Sequence, residues 1–423
     1  MASVDVKSLE GLCQQAKRAS IALRSVTAVR KNEVLHGMAD ALVRRTDEII
    51  RENALDVADA KAAHRPGAMV DRLMLDEDRI MAMARGIRDV AALPDPVGEI
   101  EEGKRLPNGL EVVKKRVPLG VVAEIYEGRP NVTSDAVALC IKSGNAAILR
   151  GSSVARRSNG IIADVLMRAL NESDAPQGAI VNVEGGHDQL RELIQMKHLV
   201  DLVIPRGGEE LKSFLMEHAT VPVIYAASGN NHVYVDADAD IQKAVKIAVN
   251  AKVQRPGTCN AAETLLVHRD VASVALPALV AALGQHGVEL RVCAASRDVL
   301  GAAADDLAEA TDRDYATEFL ELTMAVRVVD SLDDAVEHIG RYGSGHSEAI
   351  VTRSLAAARA FEAGVDAACV YINASTRFTD GGEFGMGAEI ANSTQKLHAR
   401  GPIGLRELTT MKYVVTGDGH VRG

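Results

Sequence analysis

The stretch QRPGTC, residues 254–259, lies where a helix-like pattern gives way to an apolar run typical of a buried strand. Its Pro256–Gly257 pair favours a turn, and a turn at this place can expose the sulfur of Cys259. Arg255 lies four residues before the cysteine, and positive charge favours a thiolate. The cysteine is therefore either a buried structural residue or a nucleophile.

The segments around this turn predict an α/β protein. DADADIQKAVKIAVNAKV, residues 236–253, has Asp240 as a helix N-cap and an apolar stripe at helical spacing. AETLLVH, residues 262–268, predicts a buried strand, and the chain up to about Arg88 predicts helices. From Gly120 onward, short apolar runs alternate with helix-like segments, which favours a parallel sheet with crossover helices.

Composition excludes several classes of function. The chain has 423 residues, enough for two or three domains, and is 47% hydrophobic and 25% charged, as globular proteins are. A formal net charge of −10 and an aromatic content of 3% disfavour nucleic-acid binding. No run approaches the ~20 apolar residues that cross a bilayer, and the N-terminus lacks the apolar core of a secretory signal. We therefore expect a cytoplasmic protein that binds neither nucleic acid nor membranes.

The cysteines and histidines predict no metal site. The five cysteines are scattered and form no CxxC pair, which fits a reducing compartment. Cys140 and Cys369 lie in apolar segments and are expected to pack in the core. His338 and His346 do not have the spacing of metal ligands, and His338 is expected on the surface of a helix.

Two segments predict ligand binding at strand ends. The sequence contains neither GxGxxG nor GxxxxGK[ST], so it lacks the common phosphate-binding fingerprints. ILRGSS, residues 148–153, and VIPRGGEEL, residues 203–211, each place Arg and Gly directly after an apolar strand. Ligands bind at the carboxyl ends of parallel strands, although two solvated arginines in turns would give the same pattern.

Seven blocks in the chain carry a family resemblance. They are PLGVVAEIYEGRPNV, GNAAILRGS, DLVIPRGG, VQRPGTCN, ETLLVH, HIGRYGSGHSEAI and NASTRFTDGGEFGMGAEIANSTQKLHARGP. In this order they resemble the aldehyde dehydrogenase superfamily, and more narrowly its γ-glutamyl phosphate reductase family, over essentially the whole chain. The resemblance implies NADPH-dependent reduction of L-glutamyl 5-phosphate to L-glutamate 5-semialdehyde with release of phosphate, the second step of proline biosynthesis from glutamate.

The resemblance implies roles for several residues around the nucleophile. Cys259 takes the place of the catalytic thiolate, and its backbone N–H is one oxyanion donor. Asn131 and Arg129, both in YEGRPN, are alternatives for the second donor. Arg129 and Arg255 are expected to bind phosphate or the α-carboxylate of the substrate, because the fork of a guanidinium suits both.

The resemblance also implies an NADP(H) site. Arg150 stands where a lysine usually holds the adenosine ribose, and Glu318 stands where a glutamate holds the nicotinamide ribose. NAD-preferring relatives often carry a glutamate at the position of Ser153, and that carboxylate would repel a 2′-phosphate. We therefore expect NADPH, with these further cofactor-binding residues: Gly151, Ser152, Ser153, Arg206 and Gly207.

A second departure from the superfamily concerns hydrolysis. Where hydrolytic relatives carry a water-activating glutamate, YAASGNN has Ala226 or Ala227. The absence of a base suits an enzyme that exchanges its acyl group with phosphate, since water would waste the thioester. A CoA-acylating aldehyde dehydrogenase, which also lacks this glutamate, remains an alternative, as does a cysteine hydrolase or acyltransferase that uses no nicotinamide.

The implied architecture is an aldehyde dehydrogenase-like α/β fold with three parts. These are an NADP-binding domain, residues 1–97 and 118–228, a catalytic domain, residues 229–398, and a small β flap for oligomerisation, residues 98–117 and 399–423. LEVVKKRV and TTMKYVV are expected to pair within the flap and to extend to a partner subunit. The resemblance implies a homo-oligomer with a small-molecule substrate and a transient contact with glutamate 5-kinase, which makes the acyl phosphate.

Overall fold

The computed structural model describes residues 8–225 and 228–423. Its α-helices are α1 (Leu9–Leu23), α2 (Ala28–Arg44), α3 (Thr46–Ala62), α4 (Gly67–Leu73), α5 (Glu77–Ala92), α6 (Asn131–Lys142), α7 (Arg156–Asn171), α8 (His187–Leu193), α9 (Glu209–His218), α10 (Ile241–Val253), α11 (Arg269–Gln285), α12 (Ala294–Leu300), α13 (Asp312–Tyr315), α14 (Leu332–Tyr342) and α15 (Leu355–Gly364). Within the described chain, no helix has the length and apolar character of a membrane span.

The strands are β1 (Ile100–Arg105), β2 (Glu111–Pro118), β3 (Val121–Tyr126), β4 (Ala146–Gly151), β5 (Ile180–Asn182), β6 (Leu202–Arg206), β7 (Asn231–Val235), β8 (Ala262–His268), β9 (Glu289–Val292), β10 (Ala308–Glu309), β11 (Thr323–Val329), β12 (Ser347–Val351), β13 (Cys369–Ile372), β14 (Ala391–Ser393), β15 (Gly401–Ile403) and β16 (Thr409–Thr416). The chain forms two compact units. The first comprises the described residues up to Tyr225 with Gly385–Ala391 and Ile403–Gly423. The second comprises residues 228–384 with Asn392–Pro402. The assignment of domains by role stays a prediction.

A four-stranded parallel sheet forms the centre of the first unit, with the strand order β5-β4-β3-β6. All six residues of β3 and the first four of β4 are buried, which explains why both strands are nearly continuous apolar runs. The register places Tyr126 beside Gly151 and Arg206. The carboxyl ends of these strands therefore meet at one edge, and this edge positions the residues expected to bind the cofactor.

The predicted helical start and the predicted flap pairing are both confirmed in the first unit. Ser8, Thr27 and Asp76 cap α1, α2 and α5 by accepting hydrogen bonds from backbone N–H groups. β16 pairs antiparallel with β2, from Thr409 opposite Pro118 to Thr416 opposite Glu111. β1 pairs with the other side of β2, so the flap is a three-stranded sheet with the order β1-β2-β16.

A seven-stranded parallel sheet forms the centre of the second unit, with the order β10-β9-β11-β8-β7-β12-β13. Asp240 caps α10 as predicted, since its side chain accepts a hydrogen bond from the N–H of Lys243 at 3.1 Å. β8 is the predicted buried strand, and its Ala262, Leu265 and Val267 share one core with apolar residues of α10 and α11. The turn with Cys259 thus lies between a capped helix and a central strand.

The expectation for His338 is wrong. This side chain is only 4% exposed and packs against the rings of Tyr315 and Tyr342, with centroid distances of 5.0 and 4.7 Å. Ala335 and Ile339 are buried on the same face of α14, so the helical spacing places His338 in the interior. Burial lowers the pKa of His338 to about 3. Cys140 and Cys369, in contrast, are buried as predicted.

Candidate active site

Cys259 is partly exposed in the turn between α10 and β8. Asn231, the first residue of β7, is fully buried beneath this turn. Its Nδ2 lies 2.8 Å from the carbonyl oxygen of Cys259 and 2.6 Å from that of Ala261, and its Oδ1 accepts a hydrogen bond from the N–H of Ser347. The buried amide therefore fixes the backbone of the turn against the sheet.

Gly229 also touches the turn and brings Glu318 close to it. A Cβ at Gly229 would lie 1.6 Å from the carbonyl oxygen of Cys259, so the contact requires glycine. The carboxylate of Glu318 accepts a hydrogen bond from the N–H of Gly229 at 2.6 Å. Glu318 thus contacts Gly229, which in turn contacts the turn of Cys259. The expected binding of the nicotinamide ribose by Glu318 stays a prediction.

Asn260 anchors the end of the turn. Its Nδ2 donates to the carbonyl oxygen of Thr379 at 2.9 Å, and its own carbonyl oxygen accepts from the hydroxyl of Thr376 at 2.7 Å. The hydroxyl of Thr379 lies 2.5 Å from that of Ser347 and 2.6 Å from that of Tyr371. The blocks NASTRFTDGG and GSGHSEAI, which carry much of the family resemblance, thereby support the residue beside the cysteine.

Two arginines flank the same turn. Arg255 is exposed, whereas Arg377 is partly buried and donates from Nε to Gln254 at 2.8 Å and from Nη1 to the side chain of Asn260. Burial lowers the pKa of Arg377, and so does the charge of Arg255, while Cys259 has the opposite effect. A cationic group beyond the predicted Arg255 therefore stands beside the thiol.

A buried ion pair ties together the two elements that flank the turn. Lys252 in α10 and Glu263 in β8 are both fully buried, and Nζ lies 2.5 Å from Oε2. The second carboxylate oxygen of Glu263 accepts from the N–H of Leu320 at 3.3 Å. Desolvation raises the pKa of Glu263 to about 7 and lowers that of Lys252. The pair fixes the ends of the elements from which the turn projects.

The remaining cysteines differ from Cys259. Cys13, Cys140 and Cys369 are buried, and Cys293 is partly exposed. Burial raises the pKa of Cys13 to about 12, and Cys293 caps α12 by accepting a hydrogen bond from the N–H of Ser296. In the described ranges, no three His, Cys, Asp or Glu side chains group so as to hold a metal ion. Cys259 is thus the thiol with a turn built around it.

Arg150 lies at the carboxyl edge of the first unit's sheet, one residue before the end of β4. Its Nη2 donates to the carbonyl oxygen of Gly186 at 3.0 Å, while its buried Nε has no hydrogen-bond partner among the described residues. Burial lowers the pKa of Arg150, and the charge of Glu127 opposes this effect. The backbone carbonyl thus holds the guanidinium in place, and the Nε–H remains to donate a hydrogen bond to a ligand oxygen.

The residues after Arg150 form the start of a helix. A Cβ at Gly151 would lie 2.0 Å from the side chain of Asn159, so glycine allows α7 to pack closely on the strand. Ser153 is exposed and opens a 3-10 helix, Ser153–Ala155, that leads into α7. Oriented N–H groups at the carboxyl end of a parallel strand favour phosphate binding.

Arg206 is the last residue of β6, which pairs with β3 on the side opposite β4, and Gly207 follows it. Glu124, in β3, is fully buried with neither carboxylate oxygen paired within the described chain, and desolvation raises its pKa well above its usual value against the charge of Arg206. A Cβ at Gly207 would lie 2.7 Å from the carboxylate of Glu127, which accepts from the N–H of Gly208 at 3.1 Å. Both residues have local structural contacts, and their contact with a cofactor stays a prediction.

The structure does not separate the two alternatives for the oxyanion donor. Asn131, the first residue of α6, is exposed and donates from Nδ2 to Asp135 at 3.1 Å, and Arg129 is exposed two residues earlier. Ala226 and Ala227, on which the expectation of a missing base rests, lie outside the described residues.

Sequence reasoning missed three residues near these sites. Asn231 and Arg377 support the cysteine turn, and Arg156, exposed at the start of α7, forms an ion pair with Glu184 at 2.5 Å. The signal for Arg377 was its place inside the STRFTDGG block, and the signal for Asn231 was a polar residue at the start of an apolar strand. Arg156 lies three residues after Ser153, where positive charge would favour a 2′-phosphate.

Comparison with known proteins agrees with this geometry. The model of the aldehyde dehydrogenase family matches residues 1–292. The gamma-glutamyl phosphate reductase of Heliobacterium modesticaldum is 53% identical over 416 residues, 98% of each chain, and that of Caldanaerobacter subterraneus is 50% identical over 415 residues, 98% of this chain and 99% of the relative. The crystal structure of the gamma-glutamyl phosphate reductase of Thermotoga maritima has a TM-score of 0.95 and 45% identity, and covers 98% of this chain and 100% of its own.

The parallel-sheet α/β fold of both units agrees with the match to the aldehyde dehydrogenase family. The chain belongs to the aldehyde dehydrogenase family, and within it to the gamma-glutamyl phosphate reductases.

Proposed function

We propose that this protein reduces L-glutamyl 5-phosphate to L-glutamate 5-semialdehyde with NADPH and releases phosphate, as the second step of proline biosynthesis from glutamate. The observation that carries the proposal is the partly exposed thiol of Cys259 on a turn fixed by Asn231 and Asn260. The names of relatives at 50% and 53% identity over nearly the whole chain support the same substrate.

Cys259 is the nucleophile in this proposal. Its thiolate attacks the acyl carbon of the acyl phosphate, so that a C–S bond forms and the bond from carbon to the phosphate oxygen breaks. The backbone N–H of Cys259 and a second donor, Asn131 or Arg129, stabilise the negative charge on the acyl oxygen. Phosphate leaves readily and needs little help from an acid. After reduction of the thioester, the thiohemiacetal collapses to the semialdehyde and the free thiol.

The edge of the first unit's sheet fits a nicotinamide dinucleotide. Arg150 has a buried Nε that is unpaired within the described chain, and exposed Ser153 opens a helix at the carboxyl end of β4. When bound, NADPH supplies the hydride that reduces the thioester. Ser153 places no carboxylate against a 2′-phosphate, so NADPH is favoured over NADH.

We also propose that the flap joins copies of the chain into a homo-oligomer. β16 is an edge strand of the flap sheet, and Tyr413 and Val415 are 63% and 56% exposed. Exposed apolar edge strands tend to pair with other chains. The double variant Tyr413→Lys/Val415→Lys should lower the molar mass measured by light scattering after gel filtration, and an unchanged mass would contradict this role of the flap.

The reverse reaction tests the proposed activity. We expect L-glutamate 5-semialdehyde, NADP and phosphate to give NADPH, followed by its absorbance, with no need for CoA. Activity that requires CoA instead of phosphate would identify a CoA-acylating dehydrogenase. A fluorescence titration that shows no NADPH binding would favour a cysteine hydrolase or acyltransferase.

A further inference from the structure

Arg377 bridges the two ends of the segment that carries the nucleophile. Its Nε donates to Gln254, where the turn begins, and its Nη1 donates to the side chain of Asn260, where the turn ends. The hydroxyl of Thr258 lies 2.9 Å from the same oxygen of Asn260. The guanidinium is therefore held rigidly across the turn, and Cys259 lies between the two residues that it binds.

Charged groups of both signs surround Arg377. Arg255 repels it from within the turn, whereas Asp380 and Glu383 on the following loop attract it, as Cys259 does. The carboxylate of Asp380 also accepts a hydrogen bond from the N–H of Gly382 at 2.9 Å. A guanidinium that interacts with a thiol favours a negative charge on its sulfur, so Arg377 favours the thiolate of Cys259.

Other charged groups beside the turn are already paired. Lys252 is bound to Glu263 beneath the turn, and Glu318 accepts from the N–H of Gly229. Arg377, by contrast, is a partly buried cation that interacts with the charge of Cys259 from a different element, the 3-10 helix Thr376–Phe378 after β13. A partly buried charge is screened less by water than the exposed charge of Arg255.

We propose that Arg377 is a positioning residue for Cys259, which fixes both ends of the cysteine turn and favours the thiolate by its charge. This inference rests on the proposed role of Cys259 as the nucleophile. The proton of the thiol passes to solvent in the free protein, and the resulting thiolate is ready to attack before the substrate arrives. Replacement of the guanidinium removes the charge and the bridge together.

The pH dependence of Cys259 alkylation tests this role without any substrate. The full chain is treated with iodoacetamide between about pH 5 and pH 10, and the rate at Cys259 is followed by peptide mass spectrometry. The sulfur forms a bond to carbon and iodide leaves, so the rate follows the thiolate fraction. We expect Arg377→Gln to move the midpoint upward by about one pH unit, because loss of a nearby opposite charge has this size.

A second variant reports the opposite direction. Asp380→Asn removes a carboxylate that neutralises Arg377 but keeps an oxygen for the N–H of Gly382, and it should move the midpoint downward. Arg353→Gln, which breaks a surface ion pair with Asp238, is the matched control and should leave the midpoint unchanged.

The outcomes separate the two proposals. Midpoints of Arg377→Gln and Asp380→Asn that both equal that of the unmodified protein would overturn the role of Arg377 and leave the nucleophile in place. An equal shift in Arg353→Gln would also overturn it, because the effect would then be one of net charge. If Cys259 reacts no faster than Cys293 in the unmodified protein, the proposed nucleophile itself is wrong.

Discussion

At the scale of single residues, one sulfur atom carries the proposed chemistry. Cys259→Ser should abolish turnover, because a hydroxyl is far less ionised than a thiol near neutral pH. Asn231 and Asn260 hold the turn through its backbone, so the fold and NADPH binding should remain. Steady-state rates and a fluorescence titration with NADPH measure the two effects separately.

The matched control is Cys293→Ser. Cys293 caps α12, and serine is an equally good N-cap, so this variant should keep most of its activity. Appreciable turnover by Cys259→Ser would remove the covalent mechanism.

A second single-residue prediction concerns the choice of cofactor. Ser153 is exposed at the start of a 3-10 helix after β4, so Ser153→Glu should fold normally. The new carboxylate should raise the Michaelis constant for NADPH more than that for NADH, by about 1–3 kcal/mol of binding free energy, the scale of a lost charged hydrogen bond. Equal weakening of both cofactors would show that the 2′-phosphate lies elsewhere.

Prediction at this scale depended on how local the signal was. Cys259 could be singled out as a candidate because Pro256 and Gly257 mark its turn within the same short segment, and the family resemblance then implied its role. Arg377 was missed because it lies 117 positions after Asn260, and only the fold brings the two together. His338 was misplaced because a polar side chain was read without the buried Ala335 and Ile339 that share its helix face.

At the scale of helices and strands, periodicity and capping predicted most elements. The Asp240 cap and the buried strand β8 follow from patterns within single segments, whereas the pairing of β16 with β2 was predicted from the family resemblance. The order of the strands does not follow from such patterns, since β3 lies between β4 and β6, and β8 between β11 and β7. Such neighbours are set by packing between distant segments.

The central strand β3 contains a carboxyl group, that of Glu124, where the pattern of a buried strand predicts an apolar side chain. Glu124 is fully buried, and desolvation raises its pKa well above its usual value of 4.5. Above about pH 4.5 the unfolded chain loses this proton, whereas the folded chain keeps it. Folding then takes up a proton, so the free energy of unfolding should fall as pH rises, by at most about 1.4 kcal/mol per pH unit.

Urea unfolding at about pH 5 and about pH 8 measures this effect. Glu124→Gln should lose less stability between these pH values than the unmodified protein, because its side chain does not titrate. The exposed residue in Glu210→Gln provides the control, which should behave as the unmodified protein does. Equal losses in all three proteins would mean that Glu124 is ionised in the folded state.

At the scale of the whole molecule, the fold class was predictable because seven sequence blocks occur in one order along the chain. The parallel sheets of both units confirm it. The limits of the units were less accessible, since Gly385–Ala391 returns to the first unit after the long second one. No local composition change marks this return, because it depends on contacts with residues far earlier in the chain.

The fate of the thioester is a property of the whole molecule and gives the last prediction. With semialdehyde and NADP but without phosphate, the protein should release at most about one NADPH per active site. Hydride transfer leaves an acyl thioester on Cys259, and the sequence carries Ala226 and Ala227 where hydrolytic relatives carry a glutamate. General-base help is worth about 10²–10⁴ in rate, so the thioester should persist for many turnover times.

A burst measurement in phosphate-free buffer, followed by addition of phosphate, tests this expectation. Ala226→Glu or Ala227→Glu should add slow turnover that does not require phosphate. Multiple turnovers by the unmodified protein would show that another residue activates water. Glu263 is an unfavourable base because it is buried and bound to Lys252, and Glu127 is held by the N–H of Gly208. Turnover without phosphate would then be measured in Glu263→Gln and Glu127→Gln, and its loss in one of them would identify the carboxylate that activates water.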